Sequence, residues 1–387
     1  MLTLIIFLAI LGVMVFFHEL GHFWVARKFG VKTDEFGFGF PPRICGWRKI
    51  KGKRKFFWGN EDAEKIESED TIYSLNWIPI GGFVKIKGED GEAKKEPDSF
   101  GSKKVWQRIA ILSAGVTMNL LLALVCLIIA FMIGAPQVVD QDLASAKVEN
   151  PKIQIMSVLQ GSPAENVGIQ MGDVVLSIND QTFTEVVPLQ NFINENEEQE
   201  LFFKVQRLDE EKEFTVQAEM LAQMQEVGVG IGLAKTGIVS YPWYKSIWLG
   251  FMATVSMFVQ IIVAFYTLIK NSIIGQPLGV DLAGPIGIAV MTGQVARMGF
   301  VYILQFAALL SLNLAIINFL PFPALDGGRV LFLIIEKIRG KAVNQKVEQI
   351  VHASGFALLM FLVIIVTGKD LFRFKDFFIN LWQTIFS

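Results

Sequence analysis

Long apolar stretches without a charged residue divide this chain into segments. Asp, Glu, Lys and Arg are absent from residues 1–18, 109–139, 246–269, 298–325 and 353–368. A helix needs about 20 apolar residues to cross a bilayer, so most of these stretches are long enough to span one. The pattern predicts an α-helical multi-pass membrane protein with about four transmembrane helices, which we place at 1–28, 105–136, 299–320 and 352–369.

Residues 71–88 alternate apolar with polar positions around Gly81 and Gly82. A period of two residues is typical of strands, so this segment of the 29–104 loop predicts a β-hairpin with a glycine turn. Its apolar content favours a membrane-reentrant hairpin that dips toward the first helix. A surface hairpin stays an equal alternative, because alternation does not say what the apolar face packs against.

The segment 140–236 has the pattern of a soluble domain inserted between membrane helices. β-rich runs separated by turn residues predict a small α/β module, with strands at 153–158, 174–178, 201–206 and 213–218. After the third membrane helix we expect a cytoplasmic segment at 321–351, and after the fourth a C-terminal tail at 370–387.

The net charge of −2 hides a strong asymmetry along the 387 residues, of which 52% are hydrophobic. Residues 27–56 hold ten Lys and Arg against two acidic residues, whereas 140–235 hold seventeen acidic against six basic. By the positive-inside rule the 29–104 loop is cytoplasmic, so the N-terminus and the inserted domain are extracytoplasmic. Because topology explains the basic loop, we expect no nucleic-acid partner.

Two histidines stand four residues apart near the end of the first apolar stretch. Helical spacing puts His18 and His22 on one face, where two imidazoles can hold one metal ion. Glu19 beside them is placed to take a proton from water rather than to bind the metal. Two polar residues capping a membrane helix is the weaker interpretation, because lipid penalises such groups. The motif predicts a zinc hydrolase whose metal lies inside the membrane.

A lone acidic residue, Asp326, follows the uncharged stretch that ends at residue 325. Pro321 and Pro323 break the preceding helix at membrane depth, where irregular backbone is tolerated only beside protein or a wet cavity. Two histidines and one carboxylate, with water in the fourth position, form a catalytic Zn²⁺ site. We therefore predict Asp326 as the third ligand, in preference to an ordinary carboxylate at the membrane interface.

The stretch 246–269 poses a problem of parity. If Asp326 lies at the same membrane depth as His18, the helix before it runs from the outer to the cytoplasmic side, as the first helix does. The second helix runs from the cytoplasmic to the outer side, so the chain must cross the membrane an even number of times between 135 and 298. The simplest solution for 243–298 is an interfacial helix and a connector, with Trp243, Tyr244 and Trp248 as anchors. Its length and hydropathy alone favour a span, so part of a membrane hairpin remains open.

These motifs together resemble the site-2 protease family of intramembrane zinc metalloproteases, of the bacterial regulator-of-sigma-E type. The resemblance rests on His18-Glu19-x-x-His22, on Pro321-x-Pro323-x-Leu325-Asp326-Gly327, on Gly81-Gly82-Phe83 and on the inserted module, and it covers nearly the whole chain. It implies that Glu19 is the catalytic base and that His18, His22 and Asp326 bind Zn²⁺. It further implies that Asn313, Asn318, Gly81, Gly82 and Phe83 hold an unwound substrate strand.

The inserted module resembles a circularly permuted PDZ domain. The segment from Ile153 to Phe183 carries the family's strand, turn and short helix, and the peptide-binding edge follows it at Gly228, Gly230, Ile231 and Gly232. Exposed backbone N–H groups at such glycines can capture a carboxylate. The module either binds a peptide or acts as a steric filter. The chain departs from the family at Val116, where proline is usual, and in having one PDZ module instead of two.

The resemblance implies a protease of the bacterial cytoplasmic membrane whose partners are single-pass membrane proteins, such as an anti-sigma factor or remnant signal peptides. A transporter and a non-enzymatic adaptor are the two alternative classes of protein. A transporter with broken helices would need an inverted repeat, which the sequence lacks. A non-enzymatic adaptor would work through the PDZ module alone. Cys45 and Cys126 lie in different settings, so we expect no disulfide.

Overall fold

The computed structural model divides the chain into two compact units, residues 1–128 with 250–387 and residues 129–249. The first unit carries the metal motif and the second is the inserted module. The structure describes residues 2–50, 52–59, 70–89, 96–139, 146–159, 161–197, 199–207, 210–221, 226–276, 284–341 and 343–373. Most of the tail predicted at 370–387 therefore lies outside the described residues.

The helices and strands are numbered here in chain order. The helices are α1 (Leu2–Lys28), α2 (Val105–Ile133), α3 (Pro163–Asn166), α4 (Val186–Glu195), α5 (Trp243–Ile274), α6 (Pro285–Met298), α7 (Phe300–Phe319), α8 (Asp326–Arg339) and α9 (Gln345–Arg373). The strands are β1 (Thr33–Ile50), β2 (Lys53–Trp58), β3 (Ile72–Ile86), β4 (Ala135–Val138), β5 (Lys147–Val158), β6 (Val174–Ile178), β7 (Glu200–Arg207), β8 (Glu210–Gln217), β9 (Glu219–Leu221), β10 (Glu226–Gly228) and β11 (Ile231–Ser240).

Five of the described helices are long and apolar enough to cross a membrane, namely α1, α2, α5, α7 and α9. The ends of α1, α2 and α7 lie within three residues of the predicted 1–28, 105–136 and 299–320. The helix α9 covers the predicted 352–369 but begins seven residues earlier. The fifth, α5, is the stretch expected at the interface. Its 32 residues make a helix about 48 Å long, well beyond the roughly 30 Å of a hydrocarbon core. The interfacial position of α5 and the count of four spans stay predictions.

Two apolar clusters hold the first unit together. In one, Ala123 and Leu127 of α2 pack with Ile261 of α5 and with Ala308 and Leu312 of α7. In the other, α1, α2 and α8 meet through the side chains Ala26, Ile111, Leu112, Val330 and Leu333. The helix α2 takes part in both clusters, so it is the central element of this unit.

The structure of segment 71–88 differs from the predicted β-hairpin. The two halves of this segment do not pair with each other. They belong to one strand, β3, and its residues 72–75 and 82–86 both pair with β1, where residues 35–38 are partners of both stretches. The positive φ of 84° at Gly81 marks the bend that the sequence suggested. The partner β1 was hidden in the basic loop, whose charges masked its strand character. β1 also pairs with β2, which gives a three-stranded sheet in the order β2-β1-β3.

The second unit is built on one six-stranded sheet in the order β4-β11-β5-β6-β7-β8. The four predicted strands all form, within β5, β6, β7 and β8. A buried core centred on Ile155, Ile178, Leu189 and Phe203 joins this sheet to α3 and α4. The strand β11 comes last in the chain yet lies next to β5, as expected of a permuted PDZ domain.

Candidate metal centre

The imidazole rings of the two histidines on α1 converge at their Nε2 atoms. His18 and His22 are each 6% exposed, and their Nε2 atoms are 3.2 Å apart. The rings lie edge to face, with centroids 4.8 Å apart. One helical turn separates the two residues, so the predicted pairing on one face is present.

Glycines make room for these rings between α1 and α2. A β-carbon at Gly115 would overlap the His22 ring and lie 2.6 Å from Cε1 of His18. At Gly21 it would overlap the carbonyl of Ala114. Because both residues lack a side chain, α1 and α2 approach closely and the imidazoles occupy the space.

The third group, the Asp326 carboxylate, follows a break between two helices. α7 ends at Phe319, residues 320–325 are not helical, and α8 begins at Asp326. Gly327 and Gly328 sit so close to the carbonyls of the preceding segment that a side chain at either would collide with backbone. This tight fold carries Asp326 Oδ2 to 3.1 Å from His18 Nε2 and 3.4 Å from His22 Nε2.

These three groups fit a zinc ion. In the part of the chain that the structure describes, they are the one group of ligand-type side chains close enough to share a metal. Asp326 Oδ2 is buried and has no hydrogen-bond partner among the residues that the structure describes. Tetrahedral ligands at 2.0–2.1 Å from zinc lie about 3.3 Å from each other, which is the spacing found here.

Two groups on α2 orient the histidines, and the sequence pattern identified neither of them as a partner of a histidine. The carbonyl of Ile111 accepts from Nδ1 of His22 at 2.8 Å, which leaves Nε2 of His22 free for a metal. The Asn119 amide nitrogen lies 3.3 Å from Nδ1 of His18, and the amide oxygen is buried with no partner in the described part of the chain. Turning the amide end for end pairs this oxygen with the His18 Nδ1–H and frees Nε2 in the same way.

The glutamate next to the first histidine faces a cavity. Glu19 Oε2 accepts a hydrogen bond of 3.0 Å from the backbone N–H of Val84 on β3. A cavity of about 710 Å³ opens at this place and is lined by Glu19, the two histidines, Asp326 and part of β3. Glu19 therefore lies where a carboxylate can meet both water and a polypeptide lying along β3.

The structure brings together only part of the predicted substrate-binding set. Gly82 and Phe83 line the cavity, and Gly81 marks the bend of β3. The Asn318 amide nitrogen lies 3.4 Å from His18 Nε2, at the edge of the centre. The Asn313 amide instead donates to the carbonyl of Leu309 within its own helix.

The inserted module has a groove of its own. Residues 227–233, including Gly228, Gly230, Ile231 and Gly232, line a cavity of about 510 Å³ together with Gln190 and Asn194 of α4. The strand β4 pairs with β11 only from Thr236 onward. The predicted peptide edge is therefore one wall of a groove between β11 and α4.

Comparison with known proteins gives matches along nearly the whole chain. The profile of Peptidase family M50 matches residues 6–57 and 62–362. The regulator of sigma-W protease RasP of Bacillus subtilis is 30% identical over 96% of this chain and 98% of its own. A putative zinc metalloprotease of Clostridium acetobutylicum is 32% identical over 95% of this chain and 97% of its own. His18, Glu19, His22 and Asp326 all lie inside the matched residues.

Two solved structures are similar to a small part of the chain. The PDZ domain of an SdrC-like protein from Listeria monocytogenes aligns with 22% of this chain and 92% of its own, at 20% identity and a TM-score of 0.21. The corresponding domain from Listeria innocua covers 21% of this chain and 92% of its own, at 20% identity and a TM-score of 0.20.

Proposed function

The chain belongs to Peptidase family M50, the site-2 protease family, and we propose on that premise that it cuts single-pass membrane proteins within their transmembrane segments. It is an intramembrane zinc metalloprotease with a Zn²⁺ cofactor. Its apolar helices suit a multi-pass protein of the bacterial cytoplasmic membrane. The observation that carries the proposal is the convergence of His18, His22 and Asp326 beside Glu19.

The proposed chemistry divides between the metal and one carboxylate. A zinc ion held by His18, His22 and Asp326 would polarise the scissile carbonyl and make the attacking water more acidic. Glu19 takes the proton of that water and passes it to the leaving amine. His18, His22 and Asp326 hold the ion, while Asn119 and the Ile111 carbonyl fix the two rings.

A helical substrate hides its carbonyls in its own hydrogen bonds, so it must be unwound before it is cut. β3 is an edge strand of the described sheet, and its Val84 N–H points at Glu19. An unwound segment can add to such an edge by backbone hydrogen bonds. Asn318, beside His18, supplies a further amide for the freed backbone.

The proposed orientation follows from charge. The basic loop 29–104 is cytoplasmic, which leaves the N-terminus and the PDZ module on the outer side. Substrates of the proposed class are a membrane-anchored anti-sigma factor and remnant signal peptides. The similarity to the regulator of sigma-W protease RasP supports the first of these.

The PDZ module supplies a second activity. Its groove between β11 and α4 is open beside Gly228 to Gly232, which favours capture of a peptide carboxylate over a purely steric role. Titration with a labelled peptide should give saturable binding that an amidated peptide lacks. Binding of neither peptide would favour the filter, and equal binding of both would exclude capture of the carboxylate.

The test of the proposed function separates chemistry from metal binding. Glu19→Gln should lower cleavage of a membrane-anchored reporter by roughly 10²- to 10⁴-fold, because it removes the general base, while zinc content stays at the wild-type level. Asp326→Asn should lose both zinc and activity. The matched control is Glu149→Gln, an exposed acid of the inserted module. Wild-type cleavage by Glu19→Gln contradicts the mechanism, and normal zinc in Asp326→Asn contradicts the ligand set.

A further inference from the structure

A third histidine, His352, contacts the segment that carries Asp326. It lies on α9, outside the proposed ligand set. Its Nδ1 accepts a hydrogen bond of 2.8 Å from the backbone N–H of Ala324, two residues before Asp326. α9 is thereby tied to the one stretch of broken backbone that must hold a ligand in place.

The residue that donates this bond has an unfavourable backbone conformation. Ala324 has a φ of 77°, in the left-handed region that a β-carbon disfavours. Such residues persist where their surroundings hold them. The flanking Pro323 has no N–H to contribute, so the bond to His352 is a specific restraint on the turn.

A second contact between α9 and this segment lies on the same face of the helix. Gly355, one turn after His352, packs so closely on Pro323 that a β-carbon there would lie 2.6 Å from the Pro323 carbonyl oxygen. His352 therefore bonds to Ala324 and Gly355 packs on Pro323, so α9 contacts two consecutive residues of the turn.

Packing alone does not account for a histidine here. Its ring lies against Phe332, with centroids 5.4 Å apart, a contact that an aliphatic side chain would also make. The other nitrogen, Nε2, is buried without a hydrogen-bond partner among the described residues, which is a cost that an apolar side chain avoids. What only a polar side chain supplies is the acceptor for Ala324.

We propose that His352 is a positioning residue, which accepts the Ala324 N–H and so fixes Asp326 at ligand distance from His18 and His22. This inference rests on the proposed ligand set. It assigns α9 a part in metal binding without any direct contact between α9 and the metal.

The experiment compares three replacements in the full-length protein in detergent or nanodiscs. His352→Leu removes the acceptor, whereas the side-chain oxygen of His352→Asn can replace Nδ1. Ser354→Ala, on the exposed side of the same turn, is the control. Zinc affinity is measured by competition with a chelator, and the visible spectrum of the Co²⁺-loaded protein reports the ligand geometry. Cleavage of a membrane-anchored reporter gives kcat and KM.

His352→Leu should lower zinc affinity by roughly tenfold to a hundredfold, alter the Co²⁺ spectrum and lower kcat more than it raises KM. His352→Asn should keep the wild-type spectrum and most of the affinity. Ala324→Gly should restore the His352→Leu protein, because glycine adopts a positive φ without a restraint. A structural role alone predicts none of this selective rescue.

Two results would overturn the inference. One is wild-type zinc affinity and spectrum in His352→Leu, and the other is a defect in His352→Asn equal to that in His352→Leu. Asp326→Asn separates this failure from failure of the ligand set. If Asp326→Asn loses zinc while His352→Leu keeps it, only the positioning role falls, whereas normal zinc in Asp326→Asn removes the ligand set itself.

Discussion

At the scale of single residues, the proposed ligands could be read from the sequence, whereas the groups that orient them mostly could not. His18 and His22 form a local motif, and Asp326 stands out as an ionisable residue after a long uncharged stretch. Asn119 is an amide within the uncharged stretch 109–139, yet its partner depends on how α1 packs on α2. The role of the Ile111 carbonyl could not be predicted from the sequence, because every residue has a backbone carbonyl.

Asn119 should therefore matter more to metal binding than to folding. Asn119→Ala should lower zinc affinity by roughly tenfold to a hundredfold, because the His18 ring loses the group that fixes its orientation. Competition with a chelator measures this affinity. Thr117→Ala is the control, since that exposed hydroxyl bonds only to the Ser113 carbonyl of its own helix. Equal affinities in both variants would show that Asn119 merely fills space.

At the scale of elements, periodicity predicted the helices and the strands of the inserted module but misjudged the sheet beside the active site. β3 was expected to pair with itself around Gly81, since a glycine between alternating runs is typical of a hairpin. Pairing with β1 depends on long-range contacts that alternation does not encode. β1 also carries charges, which made it resemble a loop.

The hydrogen bond from β3 to Glu19 offers a test of how the proposed base is held. Val84→Pro removes the N–H that donates to Glu19, on an edge strand where proline is tolerated. Val84→Ala trims the side chain and keeps the N–H, so it is the matched control. We expect kcat/KM for a membrane-anchored reporter to fall about tenfold or more in the proline variant alone, the value of about one hydrogen bond of 1.5 kcal/mol. Equal rates in the two variants would show that this bond is not needed to hold the Glu19 carboxylate for cleavage.

At the scale of the whole molecule, the charge distribution predicted two differently composed parts, and the structure divides the chain into two units. The boundary of the inserted part was found because a membrane helix and a soluble β-domain have different hydrophobic periods. The position of α5 could not be derived in the same way. Its hydropathy favours a span, while the parity of crossings favours the interface.

The inserted module should lose stability in acid through one buried ion pair. Asp173 is 1% exposed and pairs with Arg207 at 2.7 Å. Burial raises the pKa of the Asp173 carboxyl, but the bonds from Arg207 and from the Gln170 N–H outweigh this and leave the pKa below its usual value. The unfolded chain then binds the proton more readily. The resulting stability is complete above the unfolded pKa of about 3.9 and is lost as the pH falls through the folded pKa.

Hydrogen exchange of strand β6 in the full-length protein, corrected for the intrinsic rate at each pH, measures this loss. Protection should fall from pH 6 to pH 3 in the wild type. In Asp173→Asn it should be lower at pH 6 and should change less with pH, since the titrating group is gone. The exposed Asp180→Asn serves as the control. An unchanged pH dependence in Asp173→Asn would rule out the pair as its source.

The wide separation of the proposed ligands along the chain has a consequence for biosynthesis. His18 and His22 are made before Asp326, which follows more than three hundred residues later, and His352 is made later still. A partly made chain already inserted in the membrane holds two ligands of the proposed site and lacks the third. Cleavage by the proposed site must therefore wait until Asp326 has been made, so a chain that is still shorter than this cannot cut its neighbours.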